Sequence, residues 1–469
     1  MISSISSTTE TSAPLEKPVD KPQRPSLSQR ITSLLDDGKQ KNAIPALDGF
    51  RAIACLLVVV FHLNFLARES GIWHPIHDLG TAFGIVALGG DSGVLLFFVL
   101  SGFLLFLPYA KALLFEQKLP SARSFYLRRV FRILPAYYVA LILLVLLREQ
   151  TYLQPNNWGQ LGLFFTFLMD LHITYQKLNG PFWTLAVEFQ FYAWLPVLAW
   201  MMSLVVQRGT VRRRLISLFG CLLAMIIWGL GTRYWGNKIV TQSPLDYLQM
   251  PRTIIDVLRP IIFGSSGKYF EAFGTGMLMC MLYIYIQSLP INSFIHKIAR
   301  RLSPFFFILG LSVLSVMAVW HFYMWYFNYA LHPLDPFRQF LVDNWGEWQA
   351  FCYSVGFSLC IFGILYAPAL LKRPFEWGPL RWIGLISYGM YIWHLPLQVF
   401  FIQMILPPLK GEGMLHRITD YGIFCIWNVL IVVGVSLASY LVIEKPFIKI
   451  GERLRRKRND PQMLLAKGR

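Results

Sequence analysis

The 469-residue chain is 55% hydrophobic, 16% aromatic and only 14% charged, and carries a net charge of +18. That balance is too apolar for a soluble domain of this length. The basic residues fall mainly between alternate pairs of long apolar runs, which makes the charge a topology signal and argues against nucleic-acid binding.

The pattern predicts an all-α fold, a polytopic membrane helix bundle of about ten transmembrane helices plus one short re-entrant or interfacial segment. Residues 1–43, rich in Ser, Thr, Pro and charges without an apolar face, read as a disordered cytoplasmic tail. No signal peptide is expected. The membrane domain is expected over 44–450 and a basic cytoplasmic tail over 451–469.

The first span, 44–67, holds Asp48, Arg51 and His62. Eleven helical steps of about 100° bring His62 back to the face of Arg51, and the rise carries it roughly 16 Å along the axis. With Arg51 at the membrane edge, His62 sits near the middle of a hydrocarbon layer about 30 Å thick, where an ionisable group is costly and by default a functional candidate. His74 and His77 have a metal-like spacing but lie in a loop with no further ligand cluster nearby. A surface loop is the better account, and no metal site is expected.

The second span, 83–108, has Ser101 and Gly102 in mid-membrane, a close-packing signature. Before the third span, 133–147, stand Arg128, Arg129 and Arg132. Arg129 and Arg132 share a helix face and form a fork suited to phosphate. On composition alone, cytoplasmic anchoring accounts for them better. The run 160–171 is too short to cross and reads as re-entrant or interfacial.

The next span, 182–206, opens on Trp183 and sets Glu188 inside the membrane. A carboxylate there needs a histidine or arginine partner, either as a structural pair or as the orienter of a catalytic imidazole. After a span at 215–230, the connection 231–268 contains Pro244, Pro251, Pro260 and Gly264. A loop this long is often functional and suits a cover over an acceptor site. Spans at 269–289, 303–330 and 348–371 follow, and that at 382–406 carries Ser387, Tyr388, Tyr391 and His394. Ser387, Tyr391 and His394 lie close to one stripe, which packing hydrogen bonds and a site explain equally well.

A last span at 421–443 leads to Arg453, Arg455, Arg456, Lys457 and Arg458. These rest on anionic lipid or act as a stop-transfer anchor. The six cysteines lie in apolar runs without CxxC spacing and argue for neither disulfides nor zinc. With the N-terminus inside and the short run not crossing, 32 of the 43 Lys and Arg fall on the cytoplasmic side. A multi-pass protein of the cell membrane with both termini cytoplasmic is expected.

Six segments, in order, resemble the landmarks of the acyltransferase-3 family of membrane O-acyltransferases. They are Leu47, Asp48, Gly49, Arg51 and Ala52 with His62; Leu96 through Phe103, with Ser101 and Gly102; Tyr126, Arg128, Arg129, Arg132, Leu134, Pro135 and Tyr137; Trp183, Leu185, Ala186, Val187 and Glu188; Ile386, Ser387, Tyr388, Tyr391, His394 and Pro396; and Glu444 to Phe447. The resemblance runs from about 44 to 450.

It implies transfer of an acyl group, commonly acetyl, from cytoplasmic acyl-CoA to a hydroxyl, often of an extracytoplasmic glycan. By that resemblance Arg51 and His62 carry catalysis, with His62 the reactive member, and Arg129 and Arg132 serve the CoA phosphates; Arg128 beside them is a further candidate for the same phosphates. Glu188 falls on the family's glutamate, although Phe189 replaces a second acidic residue and Leu95 stands where a polar residue is common. Asp48, Ser101, Trp183, Ser387, Tyr388, Tyr391 and His394 are substrate or structural candidates. With about 20 residues after Lys449, no SGNH-type hydrolase domain is expected to follow.

His62 can act as a general base or carry the acyl group itself. Membrane lipids, acyl-CoA and a hydroxylated acceptor are the expected partners. A carrier or exporter of a small polar solute also uses intramembrane His, Glu and Arg, although the chain shows no internal repeat. An assembly scaffold accounts for the topology but not for the shared face of Arg51 and His62.

Overall fold

The computed structural model describes residues 44–72, 80–206, 209–239, 252–326, 332–407 and 413–459. Among them every regular element is helical. The helices are α1 (Pro45–Glu69), α2 (Thr81–Leu88), α3 (Gly93–Leu114), α4 (Ala122–Leu147), α5 (Trp158–Phe165), α6 (Phe182–Val205), α7 (Val211–Tyr234), α8 (Arg252–Ile262), α9 (Phe270–Ser288), α10 (Phe294–Tyr326), α11 (Arg338–Tyr366), α12 (Ala369–Lys372), α13 (Gly378–Phe400), α14 (Met414–Trp427), α15 (Val433–Ser439) and α16 (Lys445–Asn459). π-turns join α14 to α15 and α15 to α16.

Nine helical segments among the described residues are long and apolar enough to cross a membrane. The tenth expected span, 269–289, is present as α9, whose 19 residues include Glu271, Gly274, Thr275 and Gly276 and lie largely buried. Apolar side chains such as Trp200, Ile216, Ile308 and Val429 are exposed on the outside of the bundle, the surface that lipid covers. The 160–171 run forms only the eight-residue α5 and the turns after it.

Three expectations are refined. The second span is not one uninterrupted helix: a tight turn at Gly89–Ser92 separates α2 from α3, because a Cβ on Gly90 would stand 2.4 Å from the Leu57 carbonyl oxygen of α1. The third span starts earlier, at Ala122, where Ser121 Oγ accepts from the Ser124 backbone N–H and caps the helix. Arg128, Arg129 and Arg132 therefore lie inside α4. The connection 231–268 is partly helical, with α7 running to Tyr234 and α8 covering Arg252–Ile262. The N-terminal tail, His74 and His77, Pro244 and Pro251, and residues 460–469 lie outside the described residues, while 451–459 continue α16.

The most extensive packing joins α10 to α11, α3 to α9 and α1 to α13. Glycine sets the α3–α9 distance from both sides. A Cβ on Gly102 would meet the Phe273 carbonyl oxygen at 2.2 Å, and one on Gly276 would meet that of Val99 at 2.1 Å. Such close backbone approach replaces the hydrophobic driving force that lipid does not supply between helices. It also aims Ser101, next to Gly102, into the bundle interior, while the α1–α13 contact brings the two candidate histidines together. The six cysteines are free.

Candidate active site

Two cavities lie along α1. The smaller, about 270 Å³, is lined by Asp48, Arg51, Ser101, Arg129, Arg132 and Glu188, together with Ser387, Tyr388 and Tyr391. The larger, about 770 Å³, is lined by His62, Asp91, Tyr175, Asn179, Trp183 and Arg233, among others. Val94, Thr184 and Tyr391 line both. The cavities therefore meet at one place, with Arg51 on one side and His62 on the other.

In the smaller cavity the carboxylates are already engaged. Asp48 is shared by Arg51 at 3.8 Å and Arg381 at 3.6 Å. Glu188 accepts hydrogen bonds from Ser101 Oγ and from the Tyr192 hydroxyl one turn along α6. Among the described residues Arg129 forms no ion pair, and its Nε is buried without a hydrogen-bond partner. Its guanidinium stands 5.9 Å from the ring centroids of both Phe125 and Tyr192, which hold its plane without neutralising its charge. Arg132, one turn further along α4, lines the same cavity. Arg128 does not, and its Nη1 reaches Ser124 Oγ at 3.4 Å. Tyr388 donates to the Ile133 carbonyl at 2.8 Å and so ties α13 to α4 at the cavity wall, while Ser387 donates to the Gly384 carbonyl of its own helix at 2.9 Å.

At the larger cavity, His62 Nδ1 lies 2.9 Å from the Val58 carbonyl oxygen and 3.3 Å from His394 Nε2. His394 Nδ1 in turn lies 3.1 Å from the Met390 carbonyl. A carbonyl only accepts, so each imidazole carries its proton on Nδ1. His394 Nε2 is then an acceptor for His62 Nδ1–H, and His62 Nε2 keeps its lone pair. His394 is fully buried. The Val58 carbonyl sets the tautomer of His62, and His394 stands beside its ring, the place the sequence offered to Glu188. The structure brings Glu188 to Ser101 and Tyr192 instead.

Around this histidine pair, Trp183 packs between Tyr175 and Tyr269, at centroid distances of 5.4 and 5.7 Å. The cations of this region each have a carboxylate partner: Arg233 with Glu271 at 2.6 Å, Lys268 with Asp170 at 2.5 Å, and Arg148 with Glu149 at 3.5 Å. Burial raises the phenol pKa of Tyr175, which leaves it a neutral hydroxyl. Asp91 lines the cavity from the turn before α3, with His321 at 3.3 Å. Sequence reasoning passed over Asp91, Tyr175, Asn179, Thr184, Arg233 and Tyr269. Asn179 and Thr184 flank Trp183 and were within reach, whereas the others come from separate elements and carry no local signal. Among the described residues no group of three or more His, Cys, Asp or Glu is gathered as a metal site.

A bundle of membrane helices whose interior holds a histidine pair, with His394 buried and His62 half-buried, beside an arginine-lined cavity defines a multi-pass membrane protein with an interior cavity system. Residues 44–442 match the family model described as an acyltransferase domain, and the chain belongs to that family. It is 26% identical over 444 residues to the peptidoglycan O-acetyltransferase OatA of Listeria monocytogenes, and 26% identical over 426 residues to the putative peptidoglycan O-acetyltransferase YrhL of Bacillus subtilis. Each match covers 87% of this chain and 56% of the relative. A putative O-acetyltransferase of Staphylococcus aureus is 24% identical over 411 residues, covering 80% of this chain and 56% of its own length. The chain thus matches little more than half the length of these relatives. No solved structure matches it at a significant level.

Proposed function

We propose that this membrane O-acyltransferase takes an acetyl group from acetyl-CoA on the cytoplasmic side and transfers it to a hydroxyl of an extracytoplasmic glycan. Its likeness to OatA and YrhL makes peptidoglycan the leading acceptor. The observation that carries this reading is the meeting of an arginine cavity and a histidine cavity at Val94, Thr184 and Tyr391.

CoA is a polyanion at one end and a thioester at the other. Arg129 and Arg132 offer a fork to its phosphates, and Arg51 stands at the mouth of the path. The roughly 16 Å from Arg51 to His62 along α1 is of the order of an extended pantetheine arm, which brings the thioester to the junction. His62 Nε2, left unprotonated by the Nδ1 bonds, removes the proton of the acceptor hydroxyl. The hydroxyl oxygen bonds to the acetyl carbonyl carbon, the carbon–sulfur bond breaks, and the CoA thiolate leaves and takes up a proton. Glu188, held by Ser101 and Tyr192, shapes the donor side and sets its polarity. Both termini are cytoplasmic in this scheme, with the multi-pass domain in the cell membrane.

The test is acetyl transfer in membrane vesicles supplied with isotope-labelled acetyl-CoA and cell-wall glycan, read by mass spectrometry for the ester. Labelled ester is expected with the wild-type chain. Its absence, with intact protein and consumed donor, would rule out the glycan acceptor; an unconsumed donor would rule out acetyl-CoA.

A further inference from the structure

Between the two cavities the wall is a hydrogen-bonded pair of hydroxyls. Thr184 Oγ1 lies 2.8 Å from the Pro181 carbonyl oxygen and 2.6 Å from the Tyr391 hydroxyl. Threonine has one hydroxyl proton and the carbonyl cannot donate, so Thr184 donates to Pro181 and Tyr391 donates to Thr184. Both side chains are buried. The Tyr391 ring stands edge-on to Phe97 at 5.6 Å and lies 5.8 Å from His394, the ring that holds His62. The backbones on either side are tied independently, since Asn179 Nδ2 donates to the Ile392 carbonyl at 3.1 Å. This second link, from the turn before α6 to α13, does not involve the hydroxyl pair.

We propose that the Thr184–Tyr391 pair decides between transfer and hydrolysis, by closing the donor cavity against water until an acceptor occupies the histidine cavity. The proposal rests on the assignment of donor and acceptor to the two cavities. In the hydrolytic side reaction water replaces the acceptor hydroxyl: its oxygen bonds to the acetyl carbon, the thioester carbon–sulfur bond breaks, and acetate and CoA thiol are released. Closed, the pair keeps the thioester from that water, because nothing else that lines both cavities is polar. Open, it lets the acetyl group reach His62. Opening breaks the neutral Tyr391–Thr184 hydrogen bond and the edge contact with Phe97, a cost that occupancy of the acceptor cavity is proposed to supply.

The experiment measures CoA release from acetyl-CoA without acceptor in purified, detergent-solubilised full-length protein. Tyr391→Phe and Thr184→Val each remove the hydrogen bond while keeping volume, and each is expected to raise acceptor-free CoA release about fivefold, the effect of one ordinary hydrogen bond. The double variant should release CoA no faster than Thr184→Val alone, because that change already removes the bond that Tyr391→Phe removes. Thr184→Ser, which keeps the hydroxyl, should stay at the wild-type rate. Unchanged release in both single variants, or an equal rise in Thr184→Ser, overturns the proposal.

A second readout does not depend on catalysis. With Leu104→Cys placed in the arginine cavity, labelling by an impermeant maleimide from the histidine-cavity side of sealed vesicles should be faster with Tyr391→Phe added, above the background of the parent chain. Equal labelling overturns the partition. If labelling responds but no variant or wild type consumes acetyl-CoA, the partition stands and the donor assignment fails.

Discussion

The two cavities handle charge in opposite ways. In the smaller one, Asp48 and Glu188 are engaged by Arg51, Arg381, Ser101 and Tyr192, while Arg129 and Arg132, among the described residues, form no ion pair. Around the larger one, Arg233, Lys268 and Arg148 each have a carboxylate partner. A cation left without a carboxylate inside a membrane protein is expensive unless a ligand supplies the anion. On the proposed reading this difference suits the first cavity to an anionic ligand, and the second to a neutral one among aromatic and amide groups around a histidine pair.

Breaking the chemistry while leaving the arginine cavity intact gives the largest effect. His62→Gln keeps a polar side chain but has no titratable nitrogen, and the loss of a general base costs about 10²- to 10⁴-fold in kcat. The KM for acetyl-CoA should hold, because the arginines are intact. Steady-state kinetics on protein of unchanged thermal stability checks this, and near-normal kcat would remove His62 from the mechanism.

Next in size is the anion contrast itself. Arg129→Ala or Arg132→Ala deletes a charge-assisted contact of about 1.5–3 kcal/mol, so KM for acetyl-CoA should rise roughly tenfold to a hundredfold with kcat little changed. Substituting dephospho-CoA thioester as donor should narrow the gap between wild type and the variant whose arginine meets the 3′-phosphate. If kcat falls and KM does not, these arginines act on the reaction and not on the phosphates.

His394 sharpens the comparison from the other side. It accepts from His62 Nδ1–H and touches no substrate in this scheme, so His394→Leu should lower kcat about tenfold through a misoriented ring. The KM for acetyl-CoA should stay put and the pH profile should shift, while His394→Asn, which retains an amide oxygen acceptor, should recover part of the rate. A loss confined to protein yield, with normal kcat and pH profile in what remains, would make His394 a packing residue only.

How much of this was legible in the sequence follows from the range of each interaction. Helix number and the non-crossing 160–171 run depend on apolar length, a local property, and could be read directly. The common face of Arg51 and His62 is likewise fixed by helical period. Which carboxylate or imidazole reaches His62 depends on how α13 lies against α1, and that is set where Gly384 meets the Asp48 carbonyl oxygen, a would-be Cβ contact of 2.1 Å. No periodicity records that contact, so Glu188 stood as the candidate orienter of His62, and the approach of His394 shows only once the helices are assembled. The break at Gly89 and Gly90, and Asp91 beside it, escaped for the same reason: an approach to Leu57 of another helix ended a run that hydropathy alone would continue.

The smallest effect tests whether position inside the cavity, and not charge near the membrane edge, is what matters. Arg128, Arg129 and Arg132 lie within two helical turns of α4, and a positive-inside account treats them alike. Arg128 is outside the smaller cavity's lining and reaches Ser124, so Arg128→Ala loses one long, partly exposed contact and should change KM for acetyl-CoA less than about threefold. Measured beside Arg129→Ala at the same ionic strength, it separates the two accounts, because general electrostatic attraction of CoA to a basic rim would weaken equally with either loss and would fade with added salt. A site-specific fork loses affinity only when its own arginines go.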